Sequence, residues 1–304
     1  MAAQVTILRV GKRALRVGQV AACIVSTLVA CSSPAQPPTV ATSPELVIPR
    51  LDRDAGASAR ARAGDGAHFG HPPATVGATW LVEVRATSRS PEGPLGAGEQ
   101  VSLYESAVRV DVLAVAGPAP SRVRLRVLRN VHSYQGRATP TVIDGKEYIV
   151  DAQAPHVRDA LGAAAPPAES ERVLDIFPDL GTRARVDEVL PDEELALGAR
   201  HDVLAGAILR VIHPRAWTLR AGTATLTRLE GDQAVFKVSL DAASESGLHM
   251  DVEGEARVRL RDARLSALLL EGRYERSGPG AAEPPGTFEL RRTVTSEGEA
   301  RSGR

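Results

Sequence analysis

Polar and apolar residues alternate along most of the chain after residue 71, which is the pattern of strands with one buried face. The longest example is MDVEGEARVRLRD, residues 250–262, in which every second residue from Met250 to Leu260 is apolar or glycine. The intervening residues are all charged, so this strand should have one dry and one wet face, as in an antiparallel sheet. The Asp262-Ala263 step could begin a hairpin that returns through RLSALLLEGRYER.

Other segments share this period of two and are predicted to be strands. Trp80, Val82 and Val84 alternate with polar or outward positions, and Val123, Leu125 and Val127 alternate with arginines. The further predicted strands are 108–114, 145–152 (GKEYIVDA), 234–241 and 288–294.

Two helices are predicted in the middle of the chain. The first, in PPAESERVLDIFPDLG, should begin after its two prolines and end near Phe177, because Pro178 cannot continue a helix. It places four apolar residues on one face, which are Val173, Ile176, Phe177 and Leu180. The second, in ARHDVLAGAILRVI, should end before Pro214 and has the apolar spacing of a buried amphipathic helix. Its predicted face consists of Val203, Leu204, Ala207, Ile208, Val211 and Ile212.

These elements predict an α+β fold, predominantly antiparallel β, with long alternating strands and two helices inserted mid-chain. The expected organisation is an N-terminal β lobe over 71–165, helices plus a C-terminal β lobe over 166–296, and a disordered tail over 297–304. PPATVGATWLVEV and PDEELALGARHDVL share a proline, a polar stretch, a glycine and a patterned segment. This faint repeat raises the hypothesis that the two β lobes are related.

The N-terminus has the layout of a secretory signal peptide, predicted to be residues 1–30. It carries four basic residues up to Arg16 and no acid, followed by an uncharged, largely apolar run over 17–30. Those 14 residues are fewer than the roughly 20 that a bilayer-spanning helix needs. We therefore expect a removed signal and not a transmembrane anchor.

Two cysteines lie at the end of this region, and the apolar length distinguishes them. A signal that ended at Cys23 would have only six residues after Arg16, whereas one that ended at Cys31 has a full apolar region. Leu28-Val29-Ala30-Cys31 resembles the lipobox of bacterial lipoproteins, a family in which the cysteine becomes the acylated N-terminus. The resemblance implies lipidation of Cys31 and, because Ser32 follows, an outer-membrane location. The alternative is an ordinary secreted protein cleaved after an alanine.

Residues 31–70 are predicted to be the lipidated N-terminus and a flexible tether, because proline, serine, alanine and glycine prevail without apolar periodicity. Together with the long alternating strands and the GKEYIVD segment, this arrangement resembles β-rich predicted lipoproteins of GC-rich Gram-negative bacteria. Two or more acyl chains anchor a protein stably. The expected partner is therefore a membrane, reached through the lipid anchor.

Charge and cysteine content exclude several classes of function. Without residues 1–30 the chain has 33 basic and 37 acidic residues, a net charge of −4 that does not predict nucleic-acid binding. No disulfide is expected, since Cys23 leaves with the signal and Cys31 would be acylated. The 274 residues that remain are enough to bury a large core.

Motifs for catalysis and metal binding are scarce. The chain has no G-x-S-x-G and no S-x-x-K, although scattered serines and histidines could still assemble a triad in three dimensions. His68 and His71 in HFGH are three apart, but the surrounding glycines and prolines favour a disordered tether end over a metal site. The acidic run 187–194 lacks the ligand spacing of a calcium loop and is interpreted as a solvated loop.

One arginine stripe allows two interpretations. Arg122, Arg124 and Arg126 share a face and could contact phosphates of lipopolysaccharide or an acidic partner. Pairing with acids on neighbouring strands, such as Glu83 or Asp111, is the favoured interpretation.

The leading functional hypothesis is a non-enzymatic, membrane-anchored lipoprotein of the cell envelope. Its β-rich module would bind a hydrophobic ligand, such as a lipid, or another envelope protein, and no cofactor is expected. The alternatives are an anchored hydrolase with a non-sequential active site and a purely structural or assembly lipoprotein. An apolar groove would favour binding, a pocket with converging serine, aspartate and histidine would favour catalysis, and a filled core would favour a structural role.

Overall fold

The structure of the protein is a computed structural model that describes residues 66–91, 98–152, 156–177, 180–212, 217–245, 247–276 and 285–296. All of these residues belong to one compact unit. The signal peptide, Cys31, most of the tether and the tail 297–304 lie outside the described residues.

Eleven strands and two α-helices make up the described part of the chain. The N-terminal strands are β1 (Thr79–Ser90), β2 (Gln100–Ala116), β3 (Ala119–Tyr134), β4 (Arg137–Pro140), β5 (Glu147–Asp151) and β6 (His156–Asp159). The helices are α1 (Pro167–Ile176) and α2 (Asp202–Ile212), with a 3-10 turn at Asp187–Val189 between them. The C-terminal strands are β7 (Trp217–Glu230), β8 (Gln233–Ser244), β9 (Leu248–Arg259), β10 (Leu265–Arg276) and β11 (Gly286–Ser296).

The strands form a single antiparallel sheet in the order β6-β5-β3-β2-β1-β11-β10-β9-β8-β7, and β4 pairs with β3. The first and last of the described strands are neighbours at the centre of this sheet, where Val82 is opposite Val294. The predicted class, predominantly antiparallel β with two mid-chain helices, is therefore confirmed. The two predicted β regions form the two sides of one sheet and meet at the β1–β11 pair.

The alternation of polar and apolar residues explains the buried face of the sheet. In β9, Met250, Val252, Ala256 and Val258 are at most 1% exposed, as their spacing predicts. The hairpin predicted at Asp262-Ala263 is also present, with Ala263 in the left-handed region at φ 51°. Arg259, however, is buried rather than outward and solvated, because Asp262 and Ser296 bind its guanidinium at 2.9 and 2.7 Å.

Helix α1 matches its prediction, whereas the buried face of α2 is rotated. Helix α1 ends at Ile176 with Phe177 as its C-cap, and Val173 is fully buried. In α2 the buried residues are Leu204, Ala205, Ala207, Ile208 and Leu209. Val203, predicted to be buried, is 60% exposed. The cause is close packing on β7, since a Cβ added at Gly222 would come within 3.0 Å of the Ala205 side chain.

The folded part begins earlier than residue 71. Ala67 and Leu195 exchange two backbone hydrogen bonds of 2.8 and 2.9 Å, and Phe69 stacks on Phe236 with ring centroids 6.3 Å apart. Residues 66–70, which the composition places in the tether, therefore pack on the sheet. The two segments of the faint repeat also differ, because the first leads into β1 and the second into α2.

Candidate functional site

A cavity of about 180 Å³ lies between the centre of the sheet and the C-terminal ends of both helices. Its floor is formed by β1, β2 and β11, where Val82 is paired with Val108 on one side and Val294 on the other. Its walls are the end of α1, the loop 182–186 and the end of α2. The cavity therefore lies where the two sides of the sheet meet.

Most of the cavity surface is apolar. The Trp80 and Phe177 rings contact each other with centroids 6.3 Å apart, which joins the floor to the end of α1. Val211 and Ile212 were predicted to lie on the buried face of α2, but they are half-buried and line the cavity. The apolar lining includes Trp80, Val82, Val108, Val110, Ile176, Phe177 and Val294.

Two different contacts position the helices that form the walls. Glu169 in the first turn of α1 accepts hydrogen bonds from Lys146 Nζ at 2.8 Å and from the Tyr148 hydroxyl at 2.5 Å. Helix α2 packs on β7 through small residues, with Ala205 against Gly222. The polar contact fixes α1 to the N-terminal side of the sheet, and the apolar contact fixes α2 to the C-terminal side.

One end of the cavity is polar and is organised by Asn130, which is fully buried. Asn130 Nδ2 donates to the Tyr104 hydroxyl at 2.9 Å and to Ser106 Oγ at 3.0 Å, and Thr141 Oγ1 donates to Asn130 Oδ1 at 2.7 Å. Tyr104 and Ser106 line the cavity. Since both hydroxyl oxygens accept from Asn130, each keeps its own O–H available to donate to another group.

His132 lies beside this polar end. Its ring is 5.7 Å from the Tyr104 ring, and Arg172 stacks on the same Tyr104 ring at 5.4 Å. Burial lowers the pKa of His132, and the positive charge of Arg172 lowers it further. The environment of His132 therefore disfavours the charged form of its imidazole, and its Nε2 is buried without a hydrogen-bond partner among the described residues.

The charged residues that line the cavity are mostly basic. They are three arginines, Arg185, Arg264 and Arg292, and one acid, Asp175. The Arg264 guanidinium lies over the Trp80 ring, 4.8 Å from its centroid, at the end opposite Ser106.

No sequence motif predicted this site, although its polar residues are visible in the strand pattern. Tyr104 and Ser106 occupy the inward positions that precede Val108 and Val110 on β2. Arg292 occupies the inward position between Leu290 and Val294 on β11. An arginine at an otherwise apolar inward position of a strand, as at Arg292, is the sequence signal that could have indicated this site.

The arginine stripe on β3 forms the predicted ion pairs. Arg122 binds Asp151 at 2.7 Å, and Arg126 binds Glu147 at 2.9 Å and Asp111 at 4.0 Å. Arg124 binds Glu147 at 3.3 Å, so β5 supplies most of the acids. Glu83, the other predicted partner, accepts instead from Thr293 at 3.5 Å.

The HFGH motif and the acidic run come together. His71 Nδ1 pairs with Asp187, and both side chains are 10% exposed, while His68 Nε2 is 3.3 Å from Glu194. The His71–Asp187 pair is thus a buried contact between residues 66–71 and the loop before α2. The predictions that HFGH is a disordered tether end and that the acidic run is a solvated loop are therefore wrong for these two residues. Within the described ranges, no group of three or more histidines, cysteines or acids could hold a metal ion.

The serine–histidine arrangement required for a hydrolase is incomplete at this site. Ser106 on β2 is opposite Asn130 on β3, and Tyr104 is opposite His132. Ser106 and His132 therefore belong to different cross-strand residue pairs of the same two strands. Ser106 bonds to Asn130, and in the part of the chain that the structure describes no hydrogen bond joins it to His132.

None of the described helices is long and apolar enough to cross a bilayer.

Comparison with known proteins adds little. No family model matches the chain, and no curated protein matches it significantly in sequence. The solved structures that match include DynF from the dynemicin biosynthesis pathway of Micromonospora chersina, with 10% identity and a TM-score of 0.21 over 76% of this chain and 85% of that one.

Proposed function

We propose that this chain is a membrane-anchored lipoprotein of the cell envelope whose sheet binds an apolar ligand in the central cavity. The single observation that carries the proposal is the apolar cavity of about 180 Å³ between β1, β2, β11 and the two helix ends. An apolar cavity of about 150 Å³ stays dry and binds small hydrocarbons.

The cavity lining suits a hydrocarbon chain. Valine, isoleucine and aromatic side chains from both the floor and the walls contact the same space, so a ligand there would be covered on more than one side. Each buried methylene contributes about 0.8 kcal/mol. Five buried methylenes would therefore contribute about 4 kcal/mol, which corresponds to a Kd of about 1 mM before the cost of ordering the ligand is subtracted.

Binding can be tested with the full chain, exchanged from detergent into an amphipathic polymer, and the fluorescent dye N-phenyl-1-naphthylamine. Val82→Phe places extra volume in the cavity and should weaken dye binding by roughly tenfold or more. Leu81→Phe is the matched control, because Leu81 is the next residue on β1 and points to the other face of the sheet. Val294→Phe provides a second blocking variant.

The binding proposal fails if the wild-type chain does not bind the dye, or if both blocking variants fold and bind it as well as Leu81→Phe. Unfolding midpoints of all four proteins separate lost binding from lost structure.

The anchor rests on the lipobox-like segment Leu28-Val29-Ala30-Cys31 and on the apolar run that precedes it. Cells fed an alkyne-labelled fatty acid should label the wild-type chain and the Cys23→Ser variant. The Cys31→Ser variant should lose the label and leave the outer-membrane fraction. Label retained by Cys31→Ser would show that the acyl chains are attached elsewhere and would overturn the anchor.

An anchored hydrolase is the second candidate, supported by Ser106 and Tyr104, which line one end of the cavity, and by His132, whose ring lies 5.7 Å from the Tyr104 ring. Short-chain and long-chain nitrophenyl esters test it directly. Hydrolysis by the wild-type chain that is lost in both Ser106→Ala and His132→Gln, with dye binding unchanged, would favour the hydrolase. Equal background rates of ester hydrolysis in the wild-type chain and in both variants would exclude the hydrolase.

We also propose that the two β regions are two structural units. The sheet order places every strand of 71–165 on one side of the β1–β11 pair and every strand of 166–296 on the other, which supports two units. Native-state hydrogen exchange at increasing denaturant tests it. Two groups of amides with separate opening free energies are expected, and a single cooperative opening would contradict it.

A further inference from the structure

Ser106 is a buried hydroxyl in the lining of the central cavity, where it is 3% exposed. Its oxygen accepts a hydrogen bond from Asn130 Nδ2 at 3.0 Å. Among the residues that the structure describes, none accepts a hydrogen bond from the Ser106 O–H. A hydroxyl has one donor, and a buried donor without an acceptor lowers stability. The Ser106 O–H is therefore available to an acceptor that occupies the cavity.

Tyr104 provides a second donor beside the first. Its oxygen accepts from the same Asn130 Nδ2 at 2.9 Å, and its O–H has no acceptor within the described ranges of the chain. Two neighbours hold the Tyr104 ring, since Arg172 lies over it at 5.4 Å and the His132 ring is 5.7 Å away. The two hydroxyls thus form a pair of donors at one end of the cavity.

Asn130 fixes the direction of both donors. It is fully buried, and its backbone N–H donates to Asp144 at 2.5 Å. Thr141 Oγ1 donates to Asn130 Oδ1 at 2.7 Å, which orients the amide so that Nδ2 faces the two hydroxyl oxygens. Both oxygens lie within 3.0 Å of that one nitrogen, so a single acceptor atom can lie between their O–H groups. A carbonyl oxygen has two lone pairs and can accept both bonds.

The rest of the lining favours a neutral ligand. The four charged residues around the cavity already have interaction partners in the structure, and they are Asp175, Arg185, Arg264 and Arg292. A charged ligand would therefore lose its hydration in a largely apolar space without gaining an unpaired counter-charge. A carbonyl group has no such cost, and two hydrogen bonds replace those that it loses from water.

We propose that the cavity binds a small neutral carbonyl compound with a compact apolar body, whose oxygen accepts hydrogen bonds from Ser106 and Tyr104. This inference rests on the proposed function and names its ligand class. A cavity of about 150 Å³ binds benzene, so a cavity of about 180 Å³ accommodates roughly six to eight non-hydrogen atoms. The apolar body would lie against Val82, Val108 and Val294, which line the floor.

Cyclohexanone and methylenecyclohexane test this inference as a matched pair. They have the same size and shape, and they differ in one group, which is C=O in the first and C=CH₂ in the second. Each is titrated against the full chain in amphipathic polymer, with the valine methyl groups followed by NMR. Both should shift the signals of Val82 and Val108 with a Kd of about 1 mM. In the wild-type chain, contacts from the Tyr104 ring should be strongest to the hydrogens next to the cyclohexanone carbonyl.

The decisive quantity is the affinity for cyclohexanone divided by the affinity for methylenecyclohexane. This ratio should fall about three- to tenfold in Ser106→Ala and in Tyr104→Phe, since each variant removes one O–H donor. A change in cavity volume affects both compounds and cancels in the ratio. Either variant alone suffices if the other does not fold.

Matched controls are available for both substitutions. Ser102→Ala changes a serine on β2 outside the cavity lining, and Tyr134→Phe changes a tyrosine that is 51% exposed. Neither control should change the ratio.

The outcomes separate the two proposals. If neither compound shifts the valine signals, the apolar-ligand function fails. If methylenecyclohexane binds and cyclohexanone does not, the function stands and the carbonyl site is overturned. The same conclusion follows if both compounds bind and the ratio in the Ser106 and Tyr104 variants equals that in the two controls.

Discussion

The Glu169 carboxylate accepts a hydrogen bond from the Tyr148 hydroxyl at 2.5 Å, which ties the first turn of α1 to strand β5. Tyr148 is 1% exposed, and Lys146 Nζ donates to the same carboxylate at 2.8 Å. The hydrogen bond from Lys146 holds the pKa of Glu169 below its usual range, with that from Tyr148 adding to the effect, and burial raises the pKa of Tyr148. This hydrogen bond therefore helps to position α1, whose C-terminal end at Phe177 forms one wall of the cavity.

Glu169→Ala should reduce the free energy of unfolding by about 1–3 kcal/mol, because it leaves the buried Tyr148 hydroxyl without its acceptor. Glu171→Ala, two residues along the same helix and exposed, should change it by less than about 0.5 kcal/mol. Urea unfolding of both variants checks the difference. Since the folded pKa of Glu169 is lowered, its stabilisation is present above pH 4.5 and is lost as the pH falls further. Equal losses in the two variants would contradict this role.

Gly254 on β9 allows the close approach of strand β10. A Cβ at this position would lie 1.9 Å from the Leu269 carbonyl oxygen, so Gly254→Ala should destabilise the sheet by more than about 2 kcal/mol. Gly206 in α2 has nothing nearer than 3.8 Å to such a Cβ, and Gly206→Ala should stabilise the chain by about 0.5–1 kcal/mol. Thermal unfolding of the two variants should therefore shift in opposite directions, and a shift of both in one direction would refute the assignment.

His249 is expected to stabilise the fold in its protonated form. Its Nε2 is 2.7 Å from Asp241, and the hydrogen bond to Asp241 raises the pKa of His249. The folded state then holds the proton more tightly than the unfolded state. This stabilisation is complete below pH 6.5 and disappears as the pH rises through the folded pKa.

His249→Gln should accordingly lower stability at pH 5.5, by up to about 1 kcal/mol, and have little effect at pH 9. Denaturant unfolding at both pH values measures this, and an NMR titration of the His249 ring should show the raised pKa directly. A loss that is the same at both pH values would assign His249 a packing role only.

His132 should have the opposite pH dependence. Burial and the positive charge of Arg172 lower the pKa of His132. The unfolded chain therefore takes up a proton on this histidine near pH 6.5, whereas the folded chain does so only at lower pH. Stability therefore falls as the pH decreases from 6.5 toward the folded pKa. In His132→Gln this acid-side loss should be smaller, as measured by the slope of unfolding free energy between pH 7 and pH 5. An unchanged slope would contradict the prediction.

Much of the sheet was predictable from sequence because a period of two needs only local information. The alternation in β9 and the helix end near Pro178 both follow from neighbouring residues. The buried face of α2 was predicted incorrectly because Ala205, a small residue with little weight in an apolar pattern, packs on Gly222 from a distant strand.

The candidate site was less predictable because its residues come from separate strands. Tyr104, Asn130 and Arg292 converge only through the β1–β2, β2–β3 and β1–β11 registers, which no local pattern specifies. The pairing of His71 with Asp187 is likewise long-range, so HFGH could not be distinguished from a tether by its composition. Proposals for Cys31 rest on sequence alone, since that residue lies outside the described ranges.

The β1–β11 pairing has a consequence for the order of assembly. It joins Trp80 to Ser296, so the middle of the sheet closes only when the C-terminal strand has arrived. Contacts this distant along a chain are slow to form. During synthesis or export, the edge of β1 would stay unpaired until residues 286–296 are available, and a truncation that removes β11 would leave this edge and its apolar face exposed to aggregation.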